Sequence, residues 1–326
     1  MTRDYARILV TGGAGFIGSH LVDRLLNDGF RVTVIDNLDT GRLENIAKHQ
    51  RKEEFHFTKG DIRDFDLVKE EMRDVDVVFH EAALTSVTLS MEDPVTANEI
   101  NVTGTLNILK ASLDHDVKRF IYASSAATYG DTQPPQKRED MIPNPISPYG
   151  VSKLAAEIYV KLFHRVYGLK TVSLRYFNVY GPRQRFDIPS TYAGAITNFI
   201  KRLHRNKPPV ICGDGKQTRD FVYIQDIVEA NMLAMRSKNA VGEVFNIGTG
   251  TNISINQLAE VLKDITNKRD IKNIHTDPRP GDVRHGYADI SKAKKILGYN
   301  PKFSIKEGLA ELVNAHSHDG KFKLPT

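Results

Sequence analysis

A chain of 326 residues, 40% hydrophobic and 26% charged, carries enough apolar content for one large core or two joined ones, which excludes a disordered or fibrous protein. Its 45 basic and 40 acidic residues leave a net charge of +5, but the basic residues are dispersed. That excludes a dedicated nucleic-acid stripe, and a mildly basic surface suits an anionic small substrate.

The chain opens on an apolar β-branched run, Ile8 to Thr11, that meets a glycine cluster and then an amphipathic run from Phe16 to Leu26. This order predicts strand, tight turn, helix. Gly13, Gly15 and Gly18 match G-x-G-x-x-G, and Gly12, Gly15 and Gly18 match a wider version. Such glycines mark an ordinary turn, or they bring backbone N–H groups and a helix N-terminus to a pyrophosphate. The second strand favours the pyrophosphate, because Val32 to Asp36 ends in a carboxylate eighteen residues after Gly18. An acid there accepts both hydroxyls of an adenosine ribose and repels a 2′-phosphate. Arg42 is the nearest cation that could offset the repulsion, so the expected dinucleotide is NAD and not NADP.

Further strands are predicted at Phe55–Lys59, Val75–His80, Phe120–Ser124 and Thr171–Arg175, alternating with helical patterns. That alternation predicts an α/β fold built on a doubly wound parallel sheet, with ligands at the carboxyl edge of the strands. After the third strand, Asp61 and Ile62 either flank an adenine or belong to a solvated turn. After the fourth come His80, Glu81 and the small residues Ala82 and Ala83, which leave backbone open to a cofactor. His80 and Glu81 lack metal-ligand spacing, so no metal is expected. Met91 to His115 reads as one long helix with apolar Ile100, Leu106, Ile108, Leu109 and Leu113. Asn101 among them is either a satisfied core amide or a holder of water or backbone. After the fifth strand, Ser124 and Ser125 are the hydroxyl candidates. Beyond a proline-rich loop, Tyr149 and Lys153 open a helix one turn apart, on one face.

One cysteine, Cys212, rules out an intramolecular disulfide. No apolar run is long enough to span a membrane, and the first residues do not read as a signal peptide. The expected setting is the cytoplasm, without membrane or nucleic-acid partners.

Gly12 to Gly18, Asp36-Asn37-Leu38, Gly60-Asp61-Ile62, Ser124-Ser125, Tyr149 with Lys153, Arg175 to Pro182, Thr218 to Phe221 and Arg279 to Asp282 together carry a family resemblance. The chain resembles the extended short-chain dehydrogenase/reductase family. More narrowly, it is similar to the nucleotide-sugar 4-epimerases, above all those that act on UDP-N-acetylglucosamine. The resemblance implies a Rossmann-like sheet in residues 1–178, with 221–250 returning to it. It implies a smaller, interleaved nucleotide-sugar region in 179–220 and 251–315. A poorly ordered tail is expected over 316–326.

The resemblance implies NAD contacts from Gly12, Gly15, Phe16, Ile17, Asp36, Asn37, Leu38, Thr40, Gly41, Asp61, Ile62, Ala82, Ala83, Asn101, Tyr149, Lys153 and Tyr176. Tyr149 is the implied base on the sugar 4-hydroxyl, with Ser125 on the same oxygen. A tyrosine titrates at about 10, so it needs the field of Lys153 and the charged nicotinamide. Hydride leaves C4, the 4-keto sugar turns over, and hydride returns to the other face. The implied substrate contacts are Ser86, Ser125, Tyr149, Asn178, Phe199, Val210, Cys212, Arg219, Arg279, Asp282 and Gly286. Phe199 is expected as a wall for the uracil and Val210 to Cys212 as readers of its edge. Arg219 and Arg279 are expected on the diphosphate and Asp282 on a ribose hydroxyl.

Similar dehydratases and decarboxylases need acids just after the catalytic hydroxyl residue. Ala126 and Ala127 stand there and move no proton. Gly286 borders the sugar's 2-substituent by resemblance, and a small residue admits an N-acetyl group. Its competitor is a glycine needed for backbone conformation. Two further readings stand beside the leading one: a UDP-uronate 4-epimerase that uses Arg185 on the carboxylate, and a non-catalytic dinucleotide sensor. Leu162, Phe163, Val166 and Tyr167, with the Met91–His115 segment, are expected to pair with a second copy as a four-helix homodimer interface.

Overall fold

In a computed structural model of the chain, residues 5–187, 194–278 and 283–318 are described. Seven strands form the central layer: β1 (Arg7–Thr11), β2 (Arg31–Asp36), β3 (Phe55–Lys59), β4 (Val77–His80), β5 (Arg119–Ser125), β6 (Thr171–Tyr176) and β7 (Val244–Ile247). All pairings are parallel, in the order β7-β6-β5-β4-β1-β2-β3. The order reverses between β1 and β4, so their carboxyl ends open a crevice there.

Alternation along each strand splits the core between the two faces of the sheet. Ile8, Val10, Ile121 and Leu174 belong to one cluster, Leu9, Phe120 and Tyr122 to the other. The helices Phe16–Asn27 and Ile224–Arg236 cover the first face with Leu21, Val22, Leu25, Ile227 and Ala230. The helices Gly104–Asp114 and Pro148–Tyr167 cover the second with Ile108, Leu109, Ala156 and Val160. Strands buried on both faces read as near-continuous apolar runs, which is why the six predicted strands were visible in the sequence.

Two helical expectations change. The segment expected as one helix from Met91 breaks at Asp93, between Val87–Glu92 and Pro94–Asn98. Pro94 disfavours helical backbone in the residue before it, and the Asp93 carboxylate caps the new start by accepting from Thr96 N. From Pro94 the path continues through a π-helical turn, Glu99–Thr103, into Gly104–Asp114. Phe163, expected on an outer face, is 8% exposed and packs in the second core cluster. The outward residues of its helix are Val151, Ile158, Tyr159, Leu162, Val166 and Tyr167. Val87, Leu89, Met91 and Val95 are exposed on the neighbouring short helices.

The second half adds short strands. Thr218–Arg219 lies between Ile253–Ser254 and His285–Ala288, with Gln136–Lys137 beyond. Val210–Cys212 pairs with Ile274–Thr276, and Asn178–Tyr180 with Phe221–Tyr223. The helix Ile305–His318 takes in the first three residues of the expected tail; residues 319–326 lie outside the described ones. Among the described residues, no helix is long and apolar enough to cross a membrane, and no cluster of His, Cys, Asp and Glu could hold a metal.

Candidate active site

The glycine turn joins β1 to the first helix by close approach. Gly12 has φ +68°, and a Cβ there would stand 2.8 Å from Ala82 N. A Cβ on Gly18 would stand 2.2 Å from Gly12 O. Side chains are therefore excluded where a ligand's phosphates approach the backbone. Gly15 is the helix N-cap, and no side chain caps the end. The opening N–H groups, in the turn holding Phe16 and Ile17, are thus left for an anion.

Asp36 closes β2 and is 7% exposed. Its carboxylate accepts from Ala14 N at 3.0 Å and from Leu38 N at 2.8 Å. Gly41 packs so closely that a Cβ would lie 2.6 Å from Asp36 Oδ1. The loop from Asn37 through Thr40 thus wraps the acid, and the carboxylate keeps acceptor capacity beyond these main-chain donors for a hydroxyl. Burial raises the Asp36 carboxyl, while main-chain donors at Leu38, Ala14 and Gly15 pull it back. Asn37 Nδ2 donates to Asp61 at 3.0 Å, and Arg63 holds Asp61 with two bonds of 2.9 Å. These contacts keep the Asp61 carboxyl at about 2. The cap of the helix Phe65–Glu71 is Asp64, not Asp61. Ile62 packs inward, where a Cβ on Gly104 would meet it at 2.5 Å. Arg42 is paired with Asp187, which also holds Arg185 at 3.1 Å.

Behind β4, His80 is fully engaged. Its Nε2 lies 2.9 Å from Thr105 Oγ1, whose own proton goes to Asn101 O, so Nε2 carries the hydrogen. Its Nδ1 then accepts from Thr11 Oγ1 at 2.7 Å. Burial and the Lys153 charge lower this imidazole to about 3, so it stays neutral. Asn101 is both of the things the sequence left open. It is a satisfied core amide, and it clamps Leu84 through N and O at 2.8 and 3.0 Å. It also reaches Ser152 Oγ at 2.9 Å. The loop carrying Ala82 and Ala83 is thereby tied to the helix of Tyr149, through a π-helical turn of the kind frequent at functional sites.

The candidate reacting groups meet where β5 ends. Ser124 is withdrawn: its hydroxyl donates to Glu157 at 2.5 Å. Glu157 also takes a two-point contact from Arg175, at 2.9 and 2.6 Å, and Arg175 lies over the Tyr129 ring. That leaves Ser125 on the carboxyl edge, where its hydroxyl accepts from Ala127 N at 3.1 Å and lies near enough to Tyr149 to act on its phenol. Ser147 caps the Tyr149 helix through Gly150 N at 3.1 Å, and Tyr149 N donates to Ser90 Oγ at 3.0 Å. Gly150 lets that turn close on Ala127, since a Cβ would stand 2.7 Å from Ala127 O. Lys153 is 4% exposed, its Nζ 4.7 Å from the Tyr122 ring centroid. Burial lowers it to about 8 against the pull of Glu81 and Glu157. Burial also raises the Tyr149 phenol, opposed by the neighbouring Ser125 hydroxyl. The protein's own groups therefore leave Tyr149 a weak acid, and the Lys153 field expected to lower it is shared with two carboxylates. Tyr176 donates to Glu81 at 2.9 Å and accepts from Asn231 at 2.7 Å.

Comparison with known proteins decides the family. The profile of the NAD dependent epimerase/dehydratase family matches residues 8–248. The chain belongs to that family. A putative UDP-glucose 4-epimerase of Methanocaldococcus jannaschii is 45% identical over 94% of this chain and 97% of its own length. The UDP-N-acetylglucosamine 4-epimerase of Methanobrevibacter ruminantium, solved with UDP-N-acetylmuramic acid, is 39% identical with TM-score 0.91 over 98% of this chain and 100% of that one. The UDP-glucuronic acid 4-epimerase of Bacillus cereus, solved with its UDP-sugar and NAD, is 36% identical with TM-score 0.87 over 95% of this chain and 99% of that one. The cofactor of this epimerase/dehydratase-family chain is NAD, and the cradle of Gly12, Gly15, Gly18 and Asp36 fits it.

Several residues expected on the nucleotide sugar are engaged within the chain. Phe199, expected as a wall of the base pocket, is 2% exposed and packs in the first core cluster. The hydroxyl of Ser86 caps the helix Val87–Glu92 by accepting from Leu89 N at 3.2 Å. Asn178 Nδ2 donates to Asp220 O at 2.9 Å, beside Arg219. Cys212 O accepts from Gln217 at 2.8 Å, and Val210 and Cys212 are half-buried. Arg219 donates to Thr218 O at 2.8 Å and pairs in register with Gly286. Arg279 and Asp282 lie outside the described residues. Gly286 has no left-handed φ, and a Cβ there would meet nothing nearer than Lys137 Cε at 4.0 Å. Arg185, weighed for a sugar carboxylate, bonds Asp187 and the carbonyl of Asp39. It therefore sits at the β2 end of the cleft, three strand spacings, or about 14 Å, from β5.

The sequence reading missed Glu81, Glu157, Arg175 and Asn231 as parts of the site. Glu157 stands four residues after Lys153 on the same helix face, Arg175 opens one of the family motifs and Glu81 follows a strand end, but only contacts across the fold join them.

Proposed function

We propose that the chain is an NAD-dependent isomerase that inverts C4 of a UDP-sugar, with UDP-N-acetylglucosamine and UDP-N-acetylgalactosamine as its main pair and UDP-glucose and UDP-galactose as smaller substrates. NAD supplies the acceptor and donor of hydride at C4. Tyr149 takes and returns the proton of the 4-hydroxyl. Ser125 hydrogen-bonds the same oxygen. Lys153 adds positive charge beside the phenol, and the positive nicotinamide completes the field that Tyr149 needs. The observation that carries this reading is the approach of Ser125, at the end of β5, to Tyr149, which opens the Pro148–Tyr167 helix together with buried Lys153. Beside it, Ala126 and Ala127 offer no acid for elimination or decarboxylation. A sensor that only bound the dinucleotide would not need this pair.

Arg219, Arg279, Asn178 and Asp282 hold the diphosphate and ribose in this reading, with Val210 to Cys212 along the base. The acetamido preference rests on Gly286. Its backbone does not require glycine, and the space before it is open to Lys137 Cε at 4.0 Å. Against the uronate reading, Arg185, the cation weighed for the sugar carboxylate, is engaged with Asp187, which favours the acetamido reading. Gly286→Tyr tests the sugar. Activity on UDP-N-acetylglucosamine should fall ten- to a hundredfold, a steric conflict of about 1.5–3 kcal/mol, while UDP-glucose stays within a few-fold. Equal loss of both activities would make Gly286 a backbone requirement.

We also propose a cytoplasmic homodimer. Val151, Ile158, Leu162 and Val166 form an exposed apolar stripe beside Val87, Met91 and Val95. A second copy is the occupant that would cover it. Sedimentation of Ile158→Asp should give monomer, and a native protein that sediments as monomer would refute the pairing.

A further inference from the structure

Glu81 is a carboxylate that nothing above uses. Its main chain touches the glycine turn: its N–H donates to Thr11 O at 3.3 Å, and a Cβ on Gly12 would stand 3.1 Å from Glu81 C. Its side chain crosses the end of β5 to reach β6. His80 pairs with Tyr122 and Ser125 with Tyr176. Ala123 lies between these levels and on the face opposite Tyr122, so its small side chain leaves room for the crossing. The Glu81 carboxylate then accepts from Tyr176 at 2.9 Å, and Tyr176 is fixed by Asn231, whose amide also donates to Ile227 O at 2.9 Å. This chain runs from the helix Ile224–Arg236 to the reacting end of the cleft.

The charges around it are unequal. Glu157 is committed to Arg175 and Ser124. Glu81 belongs to none of the described ion pairs, although Lys153 is close enough to act on it. The groups that face it are Tyr176 from β6, Asn231 from the helix Ile224–Arg236, Lys153 from the Pro148–Tyr167 helix and the main chain of Thr11 from β1. Burial pushes its carboxyl up to about 7, against Tyr176 and Lys153. A second positive charge brought into the cleft would favour the ionised form.

We propose that Glu81 is a positioning residue for the oxidised cofactor, a recessed counter-charge that Tyr176 and Asn231 aim at the nicotinamide end of the cleft, so that the chain holds NAD⁺ in preference to NADH. This rests on the placement of the reacting end at Ser125, Tyr149 and Lys153. The oxidised ring carries one positive charge more than the reduced ring. A fixed carboxylate attracts the first and gains nothing from the second. An epimerase that regenerates NAD⁺ in every cycle needs this preference, because a protein left with NADH and no ketone is inactive.

The test is a competition on the full chain. Native protein and Glu81→Gln are equilibrated with equimolar NAD⁺ and NADH, separated from free cofactor, and the bound ratio is read after release. Gln keeps an acceptor for Tyr176 and removes only the charge. The bound NAD⁺ to NADH ratio should fall roughly tenfold in Glu81→Gln, as expected for one partly shielded charge. Native retention of NAD⁺ should weaken between pH 8 and pH 6 by more than the variant's does, because Lys153 gains charge in both and only the native protein also loses the Glu81 charge. Tyr176→Phe should shift the ratio in the same direction by less. An unchanged ratio in folded Glu81→Gln, or equal loss of both cofactors, would overturn the proposal. Should Glu81→Gln fail to fold, Glu81→Asp against Glu81→Asn decides: only Asp should keep the preference, and equal ratios would overturn it. Tyr149→Phe serves as control. If it turns over sugar normally while Glu81→Gln still loses the preference, the catalytic reading fails and the Glu81 inference stands.

Discussion

The two ends of the cleft handle charge in opposite ways. At the β2 end, Asp61 is held ionised at about 2 by Arg63, and Asp187 at about 2 with Arg185 and Arg42 pulling it down against burial. At the β5 end, burial brings Lys153 to about 8 and Glu81 to about 7. Fixed charges suit recognition, because they do not change as a ligand arrives. Groups poised near neutrality suit chemistry, because a bound ligand can change their state. One parallel sheet supports both, with the ion-paired loop acids Asp61 and Asp187 around buried Asp36 at one end and recessed groups between strand ends and a helix at the other.

The largest effect that could break this contrast lies at the β5 end. Tyr149→Phe removes the proton acceptor and keeps the ring. Epimerisation should fall at least 10²-fold, the scale of a lost general base. Released cofactor should show NAD still bound. A near-normal rate in purified variant would remove Tyr149 from the chemistry.

At the β2 end the expected loss is in binding. Asp36→Ala removes a charge-assisted acceptor for the ribose and should weaken NAD by about 1.5–3 kcal/mol. The rate at saturating NAD should change little, which separates recognition from chemistry. Recovery of NADP from the native protein would contradict the role given to Asp36 and to the Arg42–Asp187 pair.

The smallest effect concerns stability. The folded pKa of Asp61 is depressed, so its contribution is present above the unfolded value of 3.8 and is lost as pH falls through about 2. Asp61 is partly exposed, so solvent screening limits the contribution to about 1 kcal/mol or less. Denaturation of native protein and Asp61→Asn should therefore differ slightly at pH 7 and converge between pH 4 and pH 2. A difference that grows on acidification would reverse the sign.

The sheet was legible because strands buried on both faces are apolar throughout. The β2 end was legible because its parts are close in sequence: glycines at 12, 15 and 18, then Asp36. Ser125 and Tyr149 could be placed at the same edge of the sheet from strand-end and helix-start patterns. The Glu81–Tyr176–Asn231 chain was not, since its bonds join residues 95 and 55 positions apart. Faces were also hidden. Phe163 and Phe199 point inward, and nothing in an aromatic residue's local pattern fixes which side of an amphipathic helix meets the core. The helix breaks at Asp93 although the apolar pattern runs on through Val95, because Pro94 restricts backbone and not polarity.

The central claim is that this cleft inverts C4 of a UDP-sugar and accepts an acetamido group. The most direct measurement incubates the native protein separately with UDP-N-acetylglucosamine, UDP-glucose and UDP-glucuronate, and resolves each from its 4-epimer. The account predicts UDP-N-acetylgalactosamine from the first, slower UDP-galactose from the second, and no conversion of the third. Conversion of UDP-glucuronate alone would contradict it.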